Sequence, residues 1–219
     1  LELQALVRAR EDQVTARVTA TNQLAALLAE HWPGAGMVFA RLDSDIALAF
    51  CDRFPAPATA RRLAPARMRD WLDRPHHSGR NDPTVLVAKL RDAPAPASRL
   101  GEETITALVR AQVAVIRALK TAIDELEAQI DTALAAHPWA ALIKDLPRVG
   151  TVNLAQLIGE IGPLLEHTAS ADQLAAEAGV VPVTRASGKS RAVVFRYATN
   201  RRARQALVRW ADNSRHASP

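Results

Sequence analysis

A mainly α-helical fold is predicted by three features of the chain. Aromatic residues make up 4% of its 219 positions, while alanine and arginine are abundant, and alanine and straight-chain residues lose little rotamer freedom in a helix. Apolar residues recur at three- and four-residue spacings over long stretches, the period of one helix face. The exception is VVPV, followed after RASGKSR by VVFRY, which reads as a short β-hairpin whose loop holds Ser187. The expected architecture is a helical linker (residues 1–100), a long coiled-coil helix (101–137) and a small helical domain (138–219) with a helix-hairpin-helix-like turn and the hairpin.

Residues 1–30 set Leu3, Leu6, Val7, Val14, Val18, Leu24, Leu27 and Leu28 along one helix face, and Pro33-Gly34 ends it. A shorter helix follows in DSDIALAFCDRF, with Ser44 or Asp43 as its N-cap. PAPATARRLAPARMRDWL reads as a turn, a capped start and another helix. DRPHHSGRNDP is a loop by composition and APAPAS (93–98) a linker, and both are expected to break any continuous core.

From Ile105, alternating steps of four and three pick out Val109, Gln112, Ile116, Leu119, Ile123, Leu126, Ile130 and Ala133. That is a heptad stripe with β-branched residues at a and Leu at d, the combination that favours a parallel dimer, so homo-oligomerisation through 105–133 is expected. Gln112, at a d position, weakens the seam or fixes its register. The same stripe also fits a long helix packed inside one subunit. Glu102 and Glu103 suit the N-terminal end of the backbone dipole.

After His137-Pro138-Trp139, the stretch LIKDLPRVGTVNLAQLIGEIG reads as helix, tight turn, helix. Arg148, Gly150 and Thr151 sit where backbone N–H groups at a helix start can face a phosphate, although a plain helix corner has the same punctuation. ADQLAAEAG is a short helix ended by Gly179, and TNRRARQALVRWADN is a last basic helix capped by Thr199 or Asn200.

The net charge of +5 is uneven: Gly179 to Pro219 carries +8 and the rest of the chain −3. Such asymmetry points to a polyanion, most simply nucleic acid, with Arg185, Lys189, Arg191, Arg196, Arg201, Arg202 and Arg204 as candidate contacts. No apolar run approaches the ~18 residues of a membrane span, and the basic run lacks the apolar face of an interfacial helix. Cys51 is the only cysteine, which excludes an internal disulfide and a thiolate metal cluster and fits a reducing, cytoplasmic setting. Glycine-rich nucleotide-binding loops are absent. The chain begins without Met and reads from its first residues as amphipathic helix, not as a signal peptide.

Ser187 lies between basic residues and beside Gly188. A serine attacks a phosphodiester if its hydroxyl is in line, its proton has a destination, and charge on the phosphorus oxygens is neutralised. Arg185, Lys189 and Arg191 supply the neutralising charge, but no local base is evident; His76, His77 and His216 are remote. Ser-Gly-Lys in a basic loop also has the chemistry of a phosphate-binding turn. Asp43, Asp45 and Asp52 are candidate metal ligands whose spacing equally suits helix capping, and the four tryptophans read as core or interface anchors.

In order, LPRVGTVNLAQLIGEIG, ADQLAAEAGVVPVTRASGKSR and VVFRYATNRRARQALVRWADNSRHASP closely resemble the C-terminal transposase domain of the IS110 insertion-sequence family, RNA-guided transposases and recombinases. LVRAREDQVTARVTATNQL, LDSDIALAFCDRFPAPATARRL and HHSGRND resemble that family's linking helical region. The resemblance implies that Ser187 becomes covalently joined to DNA. It also implies that a RuvC-like nuclease domain ahead of Leu1 supplies a DEDD carboxylate set for Mg2+, and that double-stranded DNA and a guide RNA are partners. The chain is accordingly expected to be a middle-to-C-terminal fragment, inactive in strand transfer alone. The alternative is a non-catalytic nucleic-acid-binding and dimerisation module left from a decayed transposase.

Overall fold

A computed structural model of the chain describes residues 1–73, 82–97 and 99–215. Its elements are α1 (Glu2–His31), α2 (Pro33–Val38), α3 (Asp45–Arg53), α4 (Pro57–Ala60), α5 (Pro65–Leu72), α6 (Pro83–Asp92), α7 (Glu102–Ala135), α8 (Ala140–Ile143), α9 (Thr151–Leu165), α10 (Ala171–Ala178), β1 (Val183–Ser187), β2 (Ser190–Val194) and α11 (Arg201–Ser214). The mainly α expectation holds, with one two-stranded antiparallel sheet. No helix among the described residues is long and apolar enough to cross a membrane.

The chain divides into two compact units, Gln13–Ala122 and Leu1–Asp12 with Ile123–Pro219. These bounds cut across both long helices and differ from the 1–100, 101–137 and 138–219 division expected from the heptad stripe and the family resemblance. A helix of 30 or 34 residues extends roughly 45–50 Å, long enough for its two ends to serve different cores.

In the unit Gln13–Ala122, α1 gives Ala20, Leu24 and Leu28 to one core, and α7 gives Ile105, Val109, Val113 and Ile116. Phe50, Phe39, Phe54, Trp32 and Trp71 fill its middle, with Phe50 within 6.0 Å of each of the other four ring centroids. Ser44 caps α3 by accepting from the Ala47 N–H. Pro33, expected only to stop α1, begins α2 at its first position, where proline's missing N–H costs nothing. Pro83 starts α6 in the same way behind the cap Asp82. This helix is absent from the sequence reading, and it buries Leu86 and Val87 in the same core as Leu48 and Ile116. The core is therefore continuous across the segments expected to break it. Most of DRPHHSGRNDP, with His76 and His77, lies outside the described residues.

The heptad stripe of α7 is buried within the chain. Val109 and Ile116 are enclosed beside Leu24 and Leu28 of α1, and Gln112 donates from Nε2 to the Ala20 carbonyl (2.8 Å) and to Gln23 (3.1 Å). In the other unit, Ile130 and Leu134 of α7 meet Leu3 and Val7 of α1, and Arg10 bonds Glu127 (2.7 Å). Late positions on α7 thus pair with early positions on α1. The parallel intermolecular seam is corrected to an antiparallel intramolecular one, because a heptad pattern reports an apolar face and not whose helix covers it.

Candidate nucleic-acid interface

The unit Leu1–Asp12 with Ile123–Pro219 holds the basic C-terminal segment, and a polar seam on α9 sets its geometry. Asn153, Gln156 and Glu160, spaced by three and four, share one face of α9 and are all buried. Asn153 donates to the Ala206 carbonyl of α11 (3.1 Å) and Gln156 accepts from Arg209 (2.8 Å). Glu160, 2% exposed, receives two bonds from the Arg8 guanidinium, at 2.6 and 2.8 Å, and one from Asn200 at 3.4 Å. The Glu160 bond raises the Arg8 pKa above its ordinary value. Asn200 also caps α11, its side chain accepting from the N–H groups of Arg202 and Ala203.

Two further contacts hold α11: Arg202 pairs with Asp12 at 2.7 Å, and the Trp210 indole donates to the Pro147 carbonyl at 3.2 Å. Pro147 lies in the turn between α8 and α9. The first helix of this predicted helix-hairpin-helix is a single turn, Ala140–Ile143. Gly150 caps α9 in an ordinary extended conformation, and no heavy atom lies within 4 Å of where a Cβ would point. The unusual residue is Arg148, which has φ of +52° and is exposed. No side chain caps α9, so the first N–H groups of the helix, at the exposed Thr151, have no side-chain partner.

The hairpin is tighter and shifted from its expected position. Val183–Ser187 pairs with Ser190–Val194, and the turn is only Gly188-Lys189. Gly188 has φ of +56° while Lys189 does not share a positive φ, the signature of a two-residue turn with glycine in its first central place. Ser187 therefore ends β1, directly opposite Ser190. Alternation along a strand puts Arg185, paired with Ala192, on the face of Ser187. Arg191, paired with Ala186, lies on the other face.

The basic residues separate into two groups. Arg202 is engaged with Asp12 and Glu11; Arg204 bonds the Arg196 carbonyl and Thr199 Oγ1 and lies over the Phe195 ring, 4.2 Å from its centroid. Arg196 is half-buried. In contrast, Arg148, Arg185, Lys189, Arg191 and Arg201 are exposed, and among the described residues none of these five side chains is engaged in a hydrogen bond or ion pair. Ser187 is likewise exposed, and its hydroxyl has no hydrogen-bond partner among the described residues.

Elsewhere, the candidate metal ligands are paired with cations: Asp43 with Arg41, Asp45 with Lys120, and Asp52 with Arg117. Burial pushes the Asp43 carboxyl up, but the bond and charge of Arg41, joined by Arg17, outweigh it and leave it below its usual value. Among the described residues no three His, Cys, Asp or Glu side chains converge as a metal site. Burial, helped by Asp52, raises the Cys51 thiol to about 12, which makes it a poor nucleophile at neutral pH.

Residues 140–219 match the Transposase IS116/IS110/IS902 family. A mini-circle IS117 protein of Streptomyces coelicolor, provisionally named a transposase, is 28% identical over 98% of this chain and 53% of its own length. An uncharacterised 42 kDa protein of insertion element IS900 from Mycobacterium paratuberculosis is 30% identical over 86% of this chain and 47% of its own. An uncharacterised 43.6 kDa protein of IS110 from Streptomyces coelicolor is 28% identical over 86% and 46%. The chain thus spans about half the length of the curated relatives it matches. No solved structure matches it significantly.

Proposed function

We propose, from the match of residues 140–219 to the Transposase IS116/IS110/IS902 family, that the chain is the DNA-handling part of a transposase whose hairpin presents Ser187 to a strand phosphate. The observation that carries this reading is the hairpin tip. An exposed serine stands beside a glycine turn, with Arg185 on its face and Lys189 in the turn, and the protein engages neither cation.

In the proposed step the Ser187 Oγ–phosphorus bond forms as a phosphorus–oxygen bond of the strand breaks. Ser187 gives up its proton and the departing sugar oxygen takes one up. Arg185 and Lys189 neutralise charge building on the non-bridging oxygens. Arg148 with the open α9 N-terminus at Gly150-Thr151, and Arg201 on α11, hold phosphates farther along the duplex. Arg202 and Arg204 act mainly by fixing α11 and the segment before it. The base for Ser187 comes from outside the described residues, which fits a RuvC-like nuclease domain as the other half of the machinery. Magnesium would belong to that domain: the described residues offer no ligand set for it, and no step here runs through it. Guide RNA is proposed as a second nucleic-acid partner.

A second reading, a non-catalytic binding module, is favoured by the Ser187 hydroxyl, which has no hydrogen-bond partner among the described residues. The two separate when the full chain is combined with a RuvC-like domain of a relative, Mg2+ and cognate DNA. A protein–DNA adduct on a denaturing gel, mapped to Ser187 and lost in Ser187→Ala, is the expected result. DNA binding with no adduct from the wild-type chain leaves the binding module.

A further inference from the structure

The face of the hairpin opposite Ser187 carries a second set of exposed groups. Alternation along β2 places Arg191 and Val193 there, and the alternating exposure continues beyond the strand. Val193, Phe195 and Tyr197 are 65%, 55% and 74% exposed, while Val194 and Arg196 between them are half-buried. Three large apolar side chains thus form a row in water, in a segment with no acidic residue from Val180 to Ala211.

The row is held in place. Arg204 reaches back from α11 to bind the Arg196 carbonyl and Thr199 Oγ1, and its guanidinium covers one side of the Phe195 ring at 4.2 Å. Phe195 meets Tyr197 edge to face, with centroids 5.3 Å apart. The Asn200 N–H is bonded to the Glu177 carbonyl, fixing the far end of the segment. A pre-positioned aromatic pair beyond the strand that carries Arg191, a cation the protein leaves unpaired, has the composition of a stacking platform for nucleobases, which offers π-faces to bases and positive charge to the backbone. A duplex hides its base faces in its own stack and has no use for such a row.

We infer that the row led by Phe195 and Tyr197 is a second nucleic-acid site, which stacks unpaired bases while Arg191 holds their backbone. This rests on the DNA-handling reading and extends it: one hairpin face offers the serine to a phosphate, and the other holds an unwound or single strand. From Ser190 to Phe195 is roughly 17 Å along the strand, so a strand stacked at about 3.4 Å per nucleotide has about five nucleotides between the level of the turn and the platform. Unpaired DNA and RNA share the stacking chemistry.

The test is fluorescence anisotropy with the full chain at one fixed salt concentration, using labelled oligo-dT, oligo-U and a blunt DNA duplex. Tyr197→Ala should weaken oligonucleotide binding by about tenfold or more, the scale of one lost base stack, while duplex affinity changes by less than twofold. Tyr197→Trp should retain the single-strand affinity. Whichever of oligo-dT and oligo-U suffers the larger loss identifies the natural strand. If Tyr197→Ala leaves single-strand binding intact, or weakens the duplex equally, the platform is wrong while the DNA-handling reading stands. If the wild-type chain binds none of the three probes, that reading falls and takes the platform with it.

Discussion

Gly179 ends α10 with φ of +73°, a conformation that suits a residue without a Cβ. A Cβ there would also lie 2.3 Å from Thr199 Cγ2 and 2.4 Å from Arg204 Nη2. The position is therefore crowded by the clamp that holds the Phe195–Thr199 segment. Gly179→Ala is expected to combine backbone strain with displacement of Arg204, at a cost of about 2–4 kcal/mol by urea unfolding. Because the displaced group is that clamp, oligo-dT affinity by fluorescence anisotropy should fall in the same variant. Gly188 also has a positive φ, but open space surrounds it, so alanine there is expected to cost less, about 1 kcal/mol. The helix stop at Gly179 was legible in the sequence. The crowding was not, since Thr199 and Arg204 are brought there only by the fold.

At the scale of elements, the polar face of α9 is what orients α11. Glu160 is sealed from water while Arg8 remains 43% exposed, so the pair is asymmetric. Arg8→Ala strands a buried carboxylate and is expected to cost about 3 kcal/mol or more. Glu160→Gln, which lets Arg8 return to solvent and keeps an acceptor for Asn200, should cost about 1 kcal/mol. Equal losses in denaturant unfolding would contradict this account of the seam. Nothing in LAQLIGEIG marked these polar residues as buried, because a lone Gln or Glu between aliphatics normally reads as the solvent face. Helices α1 and α7 were legible from their long apolar periodicity, and α10 and α11 from Gly179 at the end of one and Asn200 at the start of the other. The short α6 was hidden behind a composition that reads as loop and linker. The hairpin was found, but its register was misplaced, because the apolar runs drew the strands outward while Gly188-Lys189 alone sets the turn.

At the scale of the whole molecule, the chain has a helical unit with a large aromatic core and a unit that holds the segment matching the transposase family, residues 140–219, and the excess positive charge. The sequence carried the resemblance to the transposase family, but it placed Ser187 in the hairpin loop, whereas Ser187 ends β1. It could not sort the arginines, since whether a guanidinium meets Asp12, an aromatic ring or open water depends on the fold. Arg202 and Arg204 are engaged within the protein, whereas the side chains of Arg148, Arg185, Lys189, Arg191 and Arg201 stand exposed and are the phosphate contacts under the proposed function.

The most direct measurement is the salt dependence of duplex affinity for the wild-type chain, for Arg185→Ala/Lys189→Ala, and for Arg202→Ala. Each phosphate contact contributes about −0.9 to the slope of log K against log salt. The double variant should lose roughly two such contacts, making the slope shallower by about 1.8. Arg202→Ala should lower stability yet keep the wild-type slope. An unchanged slope in the double variant, with the loss appearing in Arg202→Ala instead, would contradict the assignment of the hairpin tip as the DNA-gripping surface.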